Sequence, residues 1–174
     1  SCAPNNPPSG TYRVDESLTI TGWNVSGDRS YVLLVDGDLT IDGTMQVSEN
    51  GGSLVIVVSE DIIVDEGIGQ TLPYACGNEQ PTVEGILSAD KDFIVESTED
   101  CTTEKAFHVE GAIIANAATP LAPPGSEGSF QNKRTLCDTN DTQPVITVRA
   151  RPDLILNSPD LLRPQRAEYR ELAP

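Results

Sequence analysis

The stretch "VLLVDGDLTIDG", residues 32–43, holds two short apolar runs divided by Asp36, Gly37 and Asp38 and closed by Asp42 and Gly43. Its core, "VDGDLTI" (35–41), superimposes on "VSEDIIV" (58–64) and "ADKDFIV" (89–95): an apolar residue, a polar pair, an aspartate, then an apolar or alternating triplet. Asp38, Asp61 and Asp92 take the same place, 23 and 31 residues apart, and a weaker copy, "ESLTIT", puts Ser17 21 residues before Asp38. A second register aligns "VEGILSA" from Val83 with "VEGAIIA" from Val109, an offset of 26.

Repeats of about 20–30 residues, each unable to bury its own apolar face, are the signature of a stacked array. The runs are rich in Val, Ile, Leu and Thr, are broken by Gly, Asp, Glu and Ser, and sustain no helical period. The expected fold is therefore all-β, a β-solenoid of parallel β-helix type with irregular loops and room for a short C-terminal helix. Composition agrees: 14 Gly and 13 Pro among 174 residues favour turns and extended chain over long helices.

Residues 1–10, with three prolines, read as an N-terminal arm, and 11–174 as one solenoid domain. Two corner loops, 67–83 and 97–106, each carry a cysteine, and the offset of 31 marks an insertion. Residues 118–143 form a long polar excursion. Beyond it, Ile146, Val148 and Ala150 alternate with Thr147, Arg149 and Arg151 as in a half-buried strand, and Ser158, Pro159 and Asp160 can start a helix through Leu161 and Leu162. Arg149, Arg151, Arg163, Arg166 and Arg170 make this tail the basic region of an acidic chain, suited to docking on an acidic neighbour or on the solenoid itself.

A net charge of −16 opposes nucleic acid and anionic lipid. No stretch approaches the roughly 18 apolar residues of a membrane span, so direct membrane insertion is not expected. Cys2, Cys76, Cys101 and Cys137 are widely spaced and show no CxxC pair, which leaves two disulfides and an oxidising compartment as the reading: a secreted or cell-surface protein. Three pairings are open; Cys76 with Cys101 is preferred because successive repeats bring equivalent loops together. The sequons at Asn24 and Asn140 fit the same location.

Asp36, Asp38 and Asp42 resemble the spaced carboxylates of a calcium loop, but an EF-hand needs Gly at its sixth position and Glu at its twelfth, where this stretch has Ile41 and Val47. A turn role is preferred and no metal site is assigned. The single histidine, His108, flanked by Phe107 and Val109, reads as a strand residue; no GxSxG, GxGxxG or P-loop is present, so neither catalytic residues nor a cofactor are expected.

At "VDGDLTIDG", "VIVVSEDIIV", "VEGAIIAN" and "RPDLILNSPDLL" the chain resembles β-solenoid ectodomains of uncharacterised bacterial cell-surface and pilus-associated proteins, over about residues 30–162. The resemblance implies architecture and surface location and carries over no catalytic residue. The four cysteines and the insertion around Cys76 depart from it. The resulting expectation is a non-enzymatic exported module of a surface structure, filament or pilus, acting in assembly or adhesion through self-association or other subunits. A carbohydrate-binding or polysaccharide-cleaving β-helix and a calcium-stabilised surface module are the alternatives.

Overall fold

A computed structural model describes residues 7–74, 77–117 and 128–157. In chain order the strands are β1 (Gly10–Val14), β2 (Leu18–Ile20), β3 (Trp23–Val25), β4 (Ser30–Val35), β5 (Leu39–Ile41), β6 (Met45–Val47), β7 (Ser53–Val58), β8 (Ile62–Val64), β9 (Gln70–Thr71), β10 (Val83–Ala89), β11 (Phe93–Val95), β12 (Lys105–Ile114), β13 (Phe130–Asn132) and β14 (Ile146–Arg149). A 3-10 helix (Cys137–Asp141) and one α-helix, α1 (Pro152–Leu156), complete them.

Two sheets result. A nine-stranded sheet runs β1-β4-β7-β10-β12-β14, with β3 and β6 joined through β10 and β9 lying on β12; a five-stranded sheet runs β13-β11-β8-β5-β2. Every pairing is parallel except β9 with β12. Parallel neighbours cannot be joined by a tight hairpin, and here the intervening chain passes through the other pairing columns before returning.

The registers are the offsets read from the sequence. Leu39 pairs with Ile62 and Ile62 with Phe93, the 23- and 31-residue intervals, and Val83 pairs with Val109 at 26. Three apolar columns follow: Tyr12, Leu33, Ile56, Leu87 and Ile113; Leu18, Leu39, Ile62, Phe93 and Phe130; Trp23, Met45, Val83, Val109 and Val148. Residues that stand at one level of the three columns are termed a rung. In the middle rungs these side chains are fully enclosed, as at Leu39, Ile56, Ile62 and Phe93, each 0 % exposed. Each such burial is worth about 1.5–3 kcal/mol, so stacked rungs supply the core that no single repeat has. The three-residue strands β5, β8 and β11 alternate buried, partly exposed, buried, which fixes register, because a one-residue slip would turn the apolar pair outward.

The structure refines three expectations. Residues 130–132, inside the stretch read as a polar excursion, form β13 and extend the second sheet. A short helix, α1, starts at Pro152, a proline at its first turn, and seats Leu154 in the core; the helix expected from Ser158, Pro159 and Asp160 through Leu161 and Leu162 lies outside the described residues. Of the arm, only residues 7–10 are described: the Pro7 carbonyl accepts from the Tyr31 hydroxyl at 2.6 Å and from Arg29 at 2.9 Å. No helix among the described residues is long and apolar enough to cross a membrane.

Candidate functional site

The recurring aspartates form a ladder along one corner. The Asp38 N–H donates to Ser17 Oγ (3.0 Å), the Asp61 N–H to Asp38 Oδ1 (3.2 Å), the Asp92 N–H to Asp61 Oδ1 (2.9 Å) and the Ser129 N–H to Asp92 Oδ1 (2.6 Å). In the opposite direction Leu18, Leu39, Ile62 and Phe93 donate their N–H groups to the carbonyls of Asp38, Asp61, Asp92 and Ser129, at 2.8 to 2.9 Å. Aspartate is selected because its short side chain reaches one rung down to the neighbouring backbone. Gly37 belongs to the same corner: at φ +148° its added Cβ would stand 2.7 Å from the Ser17 nitrogen.

The three calcium candidates are thereby given separate surroundings. Asp38 accepts the Asp61 N–H, Asp36 pairs with Arg13 (3.0 Å) and accepts from Ser59 Oγ (3.3 Å), and Asp42 is exposed. Among the described residues no group of three or more His, Cys, Asp or Glu converges as a metal site. Beside Asp36 a groove of about 180 Å³ is lined by Arg13, Leu34, Val57, Ser59 and Asp90, with no aromatic ring.

The inserted loops are held by a buried arginine. Arg134, 4 % exposed, donates to the carbonyls of Glu96 (2.7 Å), Ile68 (2.6 Å), Asp65 (2.8 Å) and Lys105 (3.1 Å), faces Glu104 at 3.8 Å and lies 5.8 Å from the Phe107 ring centroid. Burial pulls its pKa below the ordinary value, against Glu104 and Asp65. Glu104 in turn accepts from Ser97 Oγ and from the Lys105 N–H. The adjacent Gly69 admits no side chain, since a Cβ would meet the Ala106 carbonyl oxygen at 2.7 Å. A disulfide joins Cys101 to Cys137. This corrects the expected Cys76–Cys101 pairing: β13 carries the chain back alongside the 97–106 loop, so Cys137 is the cysteine brought to Cys101. Cys2 and Cys76 lie outside the described residues.

A second polar cluster sits under the 67–82 insertion. His108 is in a strand as expected, but it is 3 % exposed, edge-on to Tyr74 with ring centroids 5.2 Å apart. Neither ring nitrogen has a hydrogen-bond partner, nor does Thr147 Oγ1, and with Glu79, Glu110 and Arg149 they line a cavity of about 10 Å³, the volume of one water. Burial lowers the His108 pKa, with Glu79 opposing. The described arginines of the basic tail dock on their own chain: Arg149 on Glu110 (3.2 Å) and Glu79 (3.7 Å), Arg151 on Glu84 (3.2 Å) and Asp153. Glu84 also accepts the Val47 N–H, yet burial raises its pKa. Arg163, Arg166 and Arg170 lie outside the described residues. Asn24 is exposed at the centre of β3; the Asn140 side chain is outside what is described.

Both ends of the columns are open among the described residues. At the first rung a cavity of about 210 Å³ is lined by Tyr12, Val14, Leu18, Ile20 and Trp23; at the last, one of about 290 Å³ is lined by Ile113, Ala115, Phe130, Ile146 and Val148. Phe130 and Val148, on two of the last-rung strands, are 45 and 51 % exposed. Sequence reasoning located the columns but not this feature, which depends on β13 and β14 being the last members among the described residues. Comparison with protein-family models, curated proteins and solved structures gave no match.

Proposed function

We propose that the chain is a β-solenoid serving as a non-enzymatic, exported structural module, displayed on a cell surface or built into an extracellular filament and acting through assembly or adhesion. The observation that carries this reading is the pair of apolar ends, open among the described residues, on sheets of parallel strands: backbone groups and apolar area that invite another strand layer. The Cys101–Cys137 disulfide supports an oxidising location. The sequence resemblance to pilus-associated ectodomains points the same way.

The test is fractionation of cells that make the protein, with non-reducing mass mapping of its cysteines and electron microscopy of surface material. The expected result is an oxidised protein in extracellular or surface-bound polymer. A protein confined to the cytosol with free thiols would sink the proposal.

A further inference from the structure

We propose, building on that assembly reading, that the partner of the last rung is a second copy of this chain, stacked head to tail in one register. Its first rung continues the columns: Leu18 over Phe130, Tyr12 over Ile113 and Trp23 over Val148.

The hydrogen-bond ladder fixes the match. Each rung's first strand residue donates its N–H to the corner carbonyl of the next rung, in the series Leu18 to Asp38, Leu39 to Asp61, Ile62 to Asp92 and Phe93 to Ser129. The alternation of a parallel ladder turns the Phe130 N–H away from β11, where the next acceptor in the series is the Ser17 carbonyl of another copy. Corner side chains run the same way: Ser17 Oγ, Asp38, Asp61 and Asp92 each accept an N–H from the following rung. Ser129 Oγ donates to Asp92 and accepts from Gln131, which leaves one lone pair, and the Ser17 N–H has no partner among the described residues.

Packing agrees. Leu18, Tyr12 and Trp23 border the first-rung cavity, while Ile113, Phe130 and Val148 border that of the last rung, so stacking closes two apolar openings at once. The Asn132 amide already exchanges hydrogen bonds with the Arg134 backbone, so it brings no unmet polar group beneath Ile20. The exposed cations Lys133, just past β13, and Arg149 on β14 already pair with Glu96 and Glu110 of this chain, and Asp15 on the first rung pairs with Arg13, so charge does not select the partner. The two faces differ, so the contact is heterologous and the product is an open filament unless its rotation closes a ring.

The experiment uses the full chain by sedimentation velocity over a wide concentration range, with Leu18→Lys and Phe130→Lys checked for folding by circular dichroism. Wild type is expected to assemble reversibly, each variant alone to lose assembly by about tenfold or more in apparent affinity, and their 1:1 mixture to stop at dimers, because each supplies one intact face. Mixing Thr19→Cys with Gln131→Cys gives a second readout that survives misfolding of a Lys variant: an intermolecular 19–131 cross-link is expected by mass mapping. A wild type monomeric at every concentration, or a mixture that stays monomeric without that cross-link, would overturn the inference. Variants that polymerise like wild type would also overturn it while leaving an assembly function standing, which the surface-fraction experiment judges separately.

Discussion

Replacing Arg134 by Met keeps the volume of the side chain and removes every polar contact it makes. The loss would strand buried Glu104, 3.8 Å away, together with carbonyls of Asp65, Ile68, Glu96 and Lys105. Breaking a buried ion pair from one side costs roughly 3–5 kcal/mol. The orphaned carbonyls would add to this, but those of the inserted loops can regain water by local opening, so about 4 kcal/mol is the expected total. At roughly 2–4 °C per kcal/mol for a chain of this size, the midpoint would fall by about 8–16 °C. Urea unfolding gives the free energy, and amide exchange locates it: protection should collapse at 65–71 and 96–105 before it changes in β4 and β7. Adding Glu104→Gln removes the stranded charge and should restore part of the loss, a coupling of about 0.5–3 kcal/mol. A change below about 1 kcal/mol, or a loss of protection spread evenly over the sheets, would refute the role of Arg134 as the loop anchor.

Other outcomes follow from the same geometry. Asp61→Ala should cost about 1–2 kcal/mol by leaving the Asp92 N–H unpaired, against under about 0.5 kcal/mol for the exposed Asp36→Ala, with both values the same in calcium and in chelator. A calcium-dependent gap between the two would favour a metal loop. Removing the Cys101–Cys137 bridge, which spans 36 residues, by a double Ser substitution should lower stability by roughly 3–4 kcal/mol in urea titration; recovery of a Cys76–Cys101 peptide instead would contradict the pairing. Because burial depresses the His108 pKa below its unfolded value of about 6.5, folding favours the neutral ring; its contribution is present above that pH and is lost as pH falls. Glu84, shifted upward, acts in the opposite sense, so the pH 5–7.5 difference between wild type and His108→Gln isolates the histidine. A flat difference curve would count against a buried neutral ring.

The columns were legible because a repeat writes its register into sequence spacing: residues that stack must recur at the interval at which the chain returns. Hence Asp38, Asp61 and Asp92 gave the second sheet, and Val83 with Val109 gave the junction of β10 and β12. Three features left no such trace. Phe130-Gln131-Asn132 has only one apolar residue, and its strand exists because β11 offers an open edge. Arg134 sits in a polar, proline-bordered stretch, and its burial comes from two loops folding over it. The disulfide partner of Cys101 depended on where β13 returned the chain, a tertiary fact invisible in cysteine spacing. The corner aspartates were read as turn formers from their spacing with Gly; their acceptance of the next rung's N–H shows only once the strands are stacked.

The corner ladder has a direction but no built-in length. Each carboxylate is answered from one repeat further on, so a segment spanning one aspartate interval, such as residues 39–61, carries its own acceptor and its own donor. Duplicating it is expected to add one strand to each sheet it crosses, widening that sheet by one strand spacing, about 4.8 Å. The ladder thus constrains the interval at which strands are added and leaves their number open, so the sheets can be widened in fixed steps.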